Sequence, residues 1–349
     1  MGMNVTFMIG NGFDINLGLA TRYTDFIEVY RKIQSHDDLA IQKFKKEIID
    51  RNLPLWSNAE LAFGQQTSFI SDSFTVEDYS KCHSDFCRAL ANYLREEQKK
   101  LVLNKENAQS LAENFSKAVN NLNIGFRTMQ SESIQSLIAG YNELMFHFID
   151  FNYTNTLDII CSETNKSIGW GSHKNCKNVM GRLVHVHGTV DKDMVLGVND
   201  EMQIANLECF KSYDEYYLAQ LIKSQTDSIN EENTYKQALQ ILNSSDLIYV
   251  YGMSLGETDK FWWDNLCKLL IRKGTLRVVL HSYGAPEDEL LRYAIKRYEV
   301  TQRNKLFDFG NVSHEQKNSI QGRVHITGAN IFHALKDFAE QKQERAIAS

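Results

Sequence analysis

The feature that most constrains this sequence is a set of seven short apolar runs between long stretches of helical periodicity. They are Val5–Ile9, Met145–Phe151, Leu183–Gly188, Met194–Val198, Leu247–Tyr251, Leu276–His281 and Val324–Thr327. Most are rich in Val, Ile, Phe and Tyr, and several are continuous instead of alternating. A strand with one face in water alternates apolar and polar residues. A strand covered on both faces does not. Parallel strands also need long crossovers, which the helical stretches supply. The expected fold is an α/β, doubly wound, mostly parallel sheet of Rossmann type.

Between the first and second runs lies far more chain than one crossover needs. Residues 24–141 carry mostly helical patterns, such as DFIEVYRKIQ, EDYSKCHSDFCRALANYLREEQKKLVL and LAENFSKAVNNLNIGFRTM. The expected organisation is an α/β core from 1–26 and 142–330, a large helical insertion over 27–141, and a C-terminal segment, 331–349, holding an amphipathic helix over Ile331–Ala346. A second helical stretch, about Glu208–Asn243, precedes the Leu247 run. The chain has only two prolines and no low-complexity linker, which points to one integrated fold.

Composition narrows the function classes. Hydrophobic residues make up 43% and charged residues 23%, enough to fill a large core. The formal net charge of −6 disfavours a broad basic face, so nucleic acid is not an expected partner. No apolar run is long enough to span a bilayer, so no membrane association is expected. The start, MGMNVT, fits a myristoylation pattern, but it runs straight into the first apolar strand and is set aside. The six cysteines never take C-x-x-C spacing, which argues against a structural zinc site. With no signal peptide, reduced thiols and a cytoplasmic location are expected.

Ligands of open parallel sheets bind beyond the carboxyl ends of the strands, so the loops there carry the functional reading. GNGFD, Gly10–Asp14, follows the first run. Its glycines permit a tight turn or close backbone approach, and helix amides beyond them can hold a diphosphate. The full G-x-G-x-x-G fingerprint is absent, because Ile15 holds the third position. An ordinary strand-to-helix turn explains the same residues. FNYTNTLD, Phe151–Asp158, follows the second run. Thr154 or Asn155 can cap the next helix, with Asp158 near its first turn. Asn152 precedes that cap and is open to either a turn role or a functional one.

The third run ends in HVHG. His185 and His187 lie two apart on an expected strand and so share a face. A general base, a metal site and a structural pair all remain open for them. The Leu247 run leads into YGMSLGETDKFWW, with Gly252, Ser254 and Gly256 in its loop. GMSLG also satisfies the G-x-S-x-G nucleophile elbow at Ser254. Asp308 or Glu315 with His325 or His333 could complete a triad, but no spacing singles them out. A glycine-rich turn is the simpler reading. Trp262 and Trp263 read as packing residues.

Together IGNGFDINLGLATRYTDF, FNYTNTLD, HVHG and YGMSLGETDKFWW resemble the AbiH family of bacteriophage abortive infection proteins. Their order is also similar, more distantly, to the sirtuin-like NAD-binding fold. That resemblance implies a diphosphate loop at Gly10, Asn11, Gly12, Phe13 and Asp14. It implies catalytic roles for Asn152 and His187. It also implies pocket positions for Thr21, Asn155, Gly252, Ser254 and Leu255. Three features depart from the deacylase pattern, one being that FNYTNTLD stands where T-Q-N-I-D is usual. Nothing here can build the four-cysteine zinc module, and Ala20 stands where a proline is usual. Protein deacylation is therefore not expected.

The resemblance implies an antiphage defence protein that cleaves the nicotinamide–ribose bond of NAD, with NAD as substrate or ligand and no metal. Expected partners are NAD or a related nucleotide, a phage-derived trigger or partner protein, and further copies of the chain in a homo-oligomer. Three alternatives stand beside it: a nucleotide-sensing module without catalysis, a metal-dependent hydrolase or nuclease at His185 and His187, and a serine hydrolase at Ser254.

Overall fold

The computed structural model describes residues 2–33, 38–101, 103–173, 176–229, 233–285 and 292–336. Seven strands form one sheet: β1 (Gly2–Ile9), β2 (Glu143–Asp150), β3 (Ser172–His173), β4 (Cys176–His185), β5 (Leu247–Tyr251), β6 (Arg277–His281) and β7 (Val324–Thr327). Their spatial order is β3-β4-β2-β1-β5-β6-β7. Every pairing is parallel except the short β3–β4 hairpin. Counting only the six parallel strands in chain order, the sequence across the sheet is 3-2-1-4-5-6, the doubly wound dinucleotide-fold order. The order reverses between β1 and β5, and that reversal marks the switch point.

The chain forms two compact units. The first comprises Met1–Leu19, Leu101–Val186 and Lys236–Ser349, and holds the sheet. The second comprises Ala20–Lys100 and His187–Tyr235.

In the first unit, strand burial follows the apolar pattern. All five residues of β5 are buried, as are the last five of β2. One face packs its row Phe148–Phe7–Tyr249 directly across three strands. The Phe7 ring stacks at 5.5 Å on both Phe148 and Tyr249. Leu111, Phe115 and Val119 from the helix Lys105–Asn120, and Leu157 and Ile160 from the helix Thr156–Ser167, close over this face. On the other face, Trp262, Trp263, Leu266 and Leu270 of the helix Lys260–Arg272 are buried. Burial on both faces is what removed alternation from the sequence.

The second unit is helical, with a core of aromatic rings. Phe63 meets Trp56, His83 and Phe86 edge-on at 4.7 to 5.1 Å. The long helix Val76–Lys99 begins with a capping box of Thr75 and Asp78. A buried Lys223–Glu60 ion pair at 2.8 Å ties helix to helix in this unit.

Two expectations change, and a third lies mostly outside the described residues. Met194–Val198 is not a strand of the sheet. It lies in the second unit, where Val198 makes a single bridge to Ile222. Val195, Leu196 and Val198 are buried, so the run records burial and not pairing. β4 begins at Cys176, well before Leu183, and ends at His185, before Gly188. Its first half is polar because only the two-residue β3 lies beyond it. Of the helix expected over Ile331–Ala346, residues 333–336 are helical, and the remainder lies outside the described residues.

Phe7→Ala should cost about 3–5 kcal/mol, because a ring with no solvent exposure and two stacked neighbours leaves a cavity that rigid strands cannot fill. Urea denaturation measures it, and a loss below about 1 kcal/mol would contradict this packing.

Candidate active site

The site is built from backbone outward at the switch point. The loop after β1 and the loop after β5 touch mainly through backbone at Gly10, Gly12 and Gly252, with the Met253 side chain against Gly10. Gly10 N–H donates to Tyr251 O at 2.9 Å, and Gly12 N–H donates to Gly252 O at 2.8 Å. A Cβ on Gly12 would stand 2.5 Å from Gly252 Cα, and one on Gly10 would stand 2.8 Å from Gly252 O. Gly252 itself has φ +71°, a conformation that L side chains rarely take. The glycines of GNG are thus explained by loop-to-loop contact. The Phe13 amide donates to Gly10 O at 2.9 Å, so the amides of Gly10, Gly12 and Phe13 all serve backbone carbonyls. The helix that follows, Gly12–Asn16, is five residues long. The Phe13 ring is core, edge-on to Phe332 at 5.1 Å.

Polar side chains occupy the carboxyl end of the sheet, one row beyond the aromatic row. Register places Ile9 beside Asp150 and Tyr251, Asp150 beside His185, and His281 beside Thr327. Because side chains alternate, Asp150, His185 and Tyr251 share the face of Phe7. Asp14 joins them from the first turn after β1.

Asp14 and Asp150 are almost fully buried, at 1% and 0% exposure. Thr154 Oγ1 donates to Asp14 Oδ2 at 2.6 Å, and Thr156 Oγ1 donates to Thr154 Oγ1 at 2.9 Å. The Asn152 amide donates to Asp150 Oδ1 at 3.0 Å. Asp14 Oδ1, Asp150 Oδ2 and Asn152 Oδ1 are buried with no hydrogen-bond partner among the described residues. Leaving such acceptors unmet is costly, which marks the cluster as a place where a ligand's donors belong.

Electrostatics follow from burial. Loss of water raises Asp14 to about 6, against the pull of Thr154 and Thr156. The same loss raises Asp150 to about 7, against His185 and the Asn152 amide. Burial would lower His185, but the hydrogen bond to Asp158 and the charges of Asp150 and Asp158 lift it to about 9. As an imidazolium it donates from Nε2 to Asp158 Oδ2 at 2.6 Å and from Nδ1 to the Asn152 carbonyl at 3.3 Å. Its Nδ1 also stands 3.7 Å from Asp150 Oδ2. Asp158 is 44% exposed and forms the solvent side of the cluster. Two carboxyls near neutrality beside a fixed cation can bind hydroxyls, stabilise positive charge and accept a proton.

Other sequence candidates fall as follows. Asn155 is the N-cap residue but makes no side-chain cap bond, and Thr154 spends its hydroxyl on Asp14. Asp158 is in the first turn as expected. Ser254 is exposed and Leu255 buried in the loop after β5. Two of the residues named as triad partners of Ser254 have other places. Asp308 pairs with Lys317 at 2.7 Å, and His325 lies in the row of Tyr249 and Val279, away from the carboxyl ends of the strands. Asn152 belongs to the first unit, whereas Thr21 and His187 belong to the second. Within that unit His187 is buried, its carbonyl accepts from Val195 N at 2.9 Å, and Gly188 follows at φ +65°. His187 is therefore beyond β4, and the shared strand face expected for His185 and His187 is not formed. Among the described residues no three His, Cys, Asp or Glu side chains are grouped to hold a metal ion. Sequence reasoning did not single out Asp150 or Tyr251. The signal was an Asp and a Tyr closing two strands that the register places on either side of β1.

Two tests address this geometry. Gly252→Ala should destabilise the fold by about 1–3 kcal/mol, since both φ and the opposing backbone resist a Cβ. Gly140→Ala, with nothing within 4 Å of its Cβ position, should not. Equal melting temperatures for the two variants would contradict the loop contact. The second test is pH. His185 is raised from 6.5 to about 9, so its stabilisation is complete below pH 6.5 and lost as pH rises through 9. The full effect is on the order of 3 kcal/mol. Asp14 and Asp150 add the same sign, from 3.8 up to about 6 and 7. His83, His281 and His325, held near 4 by burial, act oppositely but only below 6.5. The melting temperature should therefore fall between about pH 7 and pH 8.5, and His185→Gln should flatten that slope. An unchanged slope in the variant would count against the assignment.

Comparison with known families supplies the identity. The sequence matches the family described as bacteriophage abortive infection AbiH over residues 6–281, and the chain belongs to that family. The match runs from within β1 to the end of β6 and so includes every residue of the cluster. A comparison with curated proteins finds no match. No helix among the described residues is long and apolar enough to cross a membrane.

Proposed function

From membership of an abortive-infection defence family, we propose that the protein acts by hydrolysing the nicotinamide–ribose bond of NAD at the carboxyl edge of the sheet. The observation that carries this reading is the buried cluster of Asp14, Asp150 and Asn152, each with an unmet acceptor, beside the switch point of a 3-2-1-4-5-6 sheet. Ligands of such sheets lie at that crevice. The order of motifs, similar to that of sirtuin-like NAD-binding domains, supports a dinucleotide there.

The chemistry suits these groups. The C1′–N bond breaks, its electron pair leaves with nicotinamide, and the cationic ring nitrogen becomes neutral. Positive charge then resides on the ribose as an oxocarbenium ion, which a nearby carboxylate stabilises. Asp14 accepts from a ribose hydroxyl. The Asn152 amide oxygen accepts from the attacking water and orients it. Asp150, near 7, takes the proton that water gives up on adding to C1′. The His185 cation holds Asp150 in place and offsets its charge. The exposed Ser254 hydroxyl is the group of the β5 loop left to meet phosphate. His187, the base that the resemblance nominates, has no step here.

Purified protein, with and without a lysate of phage-infected cells, is incubated with NAD and the products are separated by chromatography. Nicotinamide and ADP-ribose should appear in equal amounts. Asp150→Asn should slow their release roughly 10²–10⁴-fold, the usual weight of a positioned base. Asn152→Ala should act in the same direction. NAD left intact by triggered wild-type protein would contradict the proposal, and saturable NAD binding without product would favour a sensing module instead.

A further inference from the structure

A second polar cluster lies at the opposite, amino-terminal ends of β6 and β7. Arg277 opens β6, and Arg323 immediately precedes β7. Arg303 comes from the helix Arg292–Phe309 and donates from Nε to Val324 O at 3.1 Å. In the register, His325 stands beside Val279, so it shares a face with Arg277 two residues before. The Phe126 ring, 5.7 Å from the imidazole, covers this face, and Ser133 Oγ holds Arg277 Nε at 3.0 Å.

The cluster carries a surplus of positive charge, with Glu299 the buried acid whose charge opposes the lowering of Arg303. Among the described residues no carboxylate forms an ion pair with Arg277, Arg303 or Arg323. Their fixed partners are the Ser133 hydroxyl and backbone carbonyls, including Lys273 O for Arg323 at 2.8 Å. Of the nearby acids, Asp246 pairs with Lys273 at 2.7 Å, and Glu299 pairs with Lys296 at 3.4 Å while its charge also acts on Arg303. Burial lowers Arg303 and Arg323, and Arg277 lowers Arg323 further by its like charge. Burial, with the charges of Arg277 and Arg303, holds His325 down to about 4. The imidazole is 6% exposed, and its Nε2 is buried with no hydrogen-bond partner among the described residues.

We propose that Arg277, Arg303 and Arg323, with His325 between them, form a binding site for a phosphate group at the amino-terminal ends of β6 and β7. Guanidinium forks match phosphate oxygens in pairs, and a dianion relieves the mutual repulsion of the arginines. The neutral imidazole presents Nε2 as the additional donor or, once the dianion is bound, takes a proton and pairs with it. The site lies at the end of the sheet away from the Asp14–Asp150 cluster, so it belongs to a ligand other than the proposed substrate's reacting end. Free orthophosphate and the phosphate of a nucleotide share this chemistry.

The test is titration of the full chain with orthophosphate and, separately, with AMP, followed by calorimetry and by NMR of isotope-labelled histidine rings. The His325 ring signals, assigned through His325→Gln, should shift on saturation by at least one of the two ligands. The ligand that shifts them identifies the source. Arg323→Gln should weaken that binding roughly 10–100-fold, the weight of a charge-assisted pair. Arg303→Gln provides a second variant should the first fail to fold. Still His325 signals at millimolar orthophosphate and AMP, or equal affinity in folded variants and wild type, would overturn the site.

Discussion

Much of this structure depends on two loops meeting backbone to backbone at Gly12 and Gly252. Gly12 donates to Gly252 across the gap, and a Cβ on either residue would strike the other's backbone. That contact joins the carboxyl ends of β1 and β5, where the sheet order reverses. It brings Asp14, one turn later, over the strand ends that carry Asp150 and Tyr251. Close approach also excludes water, and exclusion of water is what raises both carboxyls toward neutrality.

Burying two carboxyls 136 residues apart in sequence, Asp14 and Asp150, opposes folding unless something repays it. Here repayment is partial. The Thr154 hydroxyl, itself held by Thr156, serves Asp14, one amide serves Asp150, and the His185 cation stands between Asp150 and Asp158. Three oxygens remain unmet. A core selected for stability alone would replace such groups with apolar ones of similar volume. Their retention at a switch point is the physical argument for a ligand.

The sequence showed the architecture where burial and pairing coincide. Val5–Ile9, Leu247–Tyr251 and Val324–Thr327 read as strands because helices cover both faces of the sheet. Met194–Val198 was misread for the same reason, since its residues are buried but pair only by one bridge. The polar start of β4 was invisible because it sits one strand from the sheet edge. At the site, Asn152, Asp14 and the glycines could be named from strand-end position. Their environment could not, since it comes from register: nothing local tells that Asp150 lies beside His185, or that β4 stops before His187. The H-x-H spacing pointed to a shared face, and the end of the strand at His185 removed that premise.

The central claim is that Asp14 and Asp150 are held near neutrality by a water-poor switch point. Carboxyl carbons labelled in every aspartate report it directly by NMR through a pH titration. Two resonances should titrate near 6 and near 7, and each should vanish in Asp14→Asn or Asp150→Asn respectively. If every aspartate carboxyl of the folded protein titrates near the ordinary value of about 3.9, the cluster is solvated and the account is wrong.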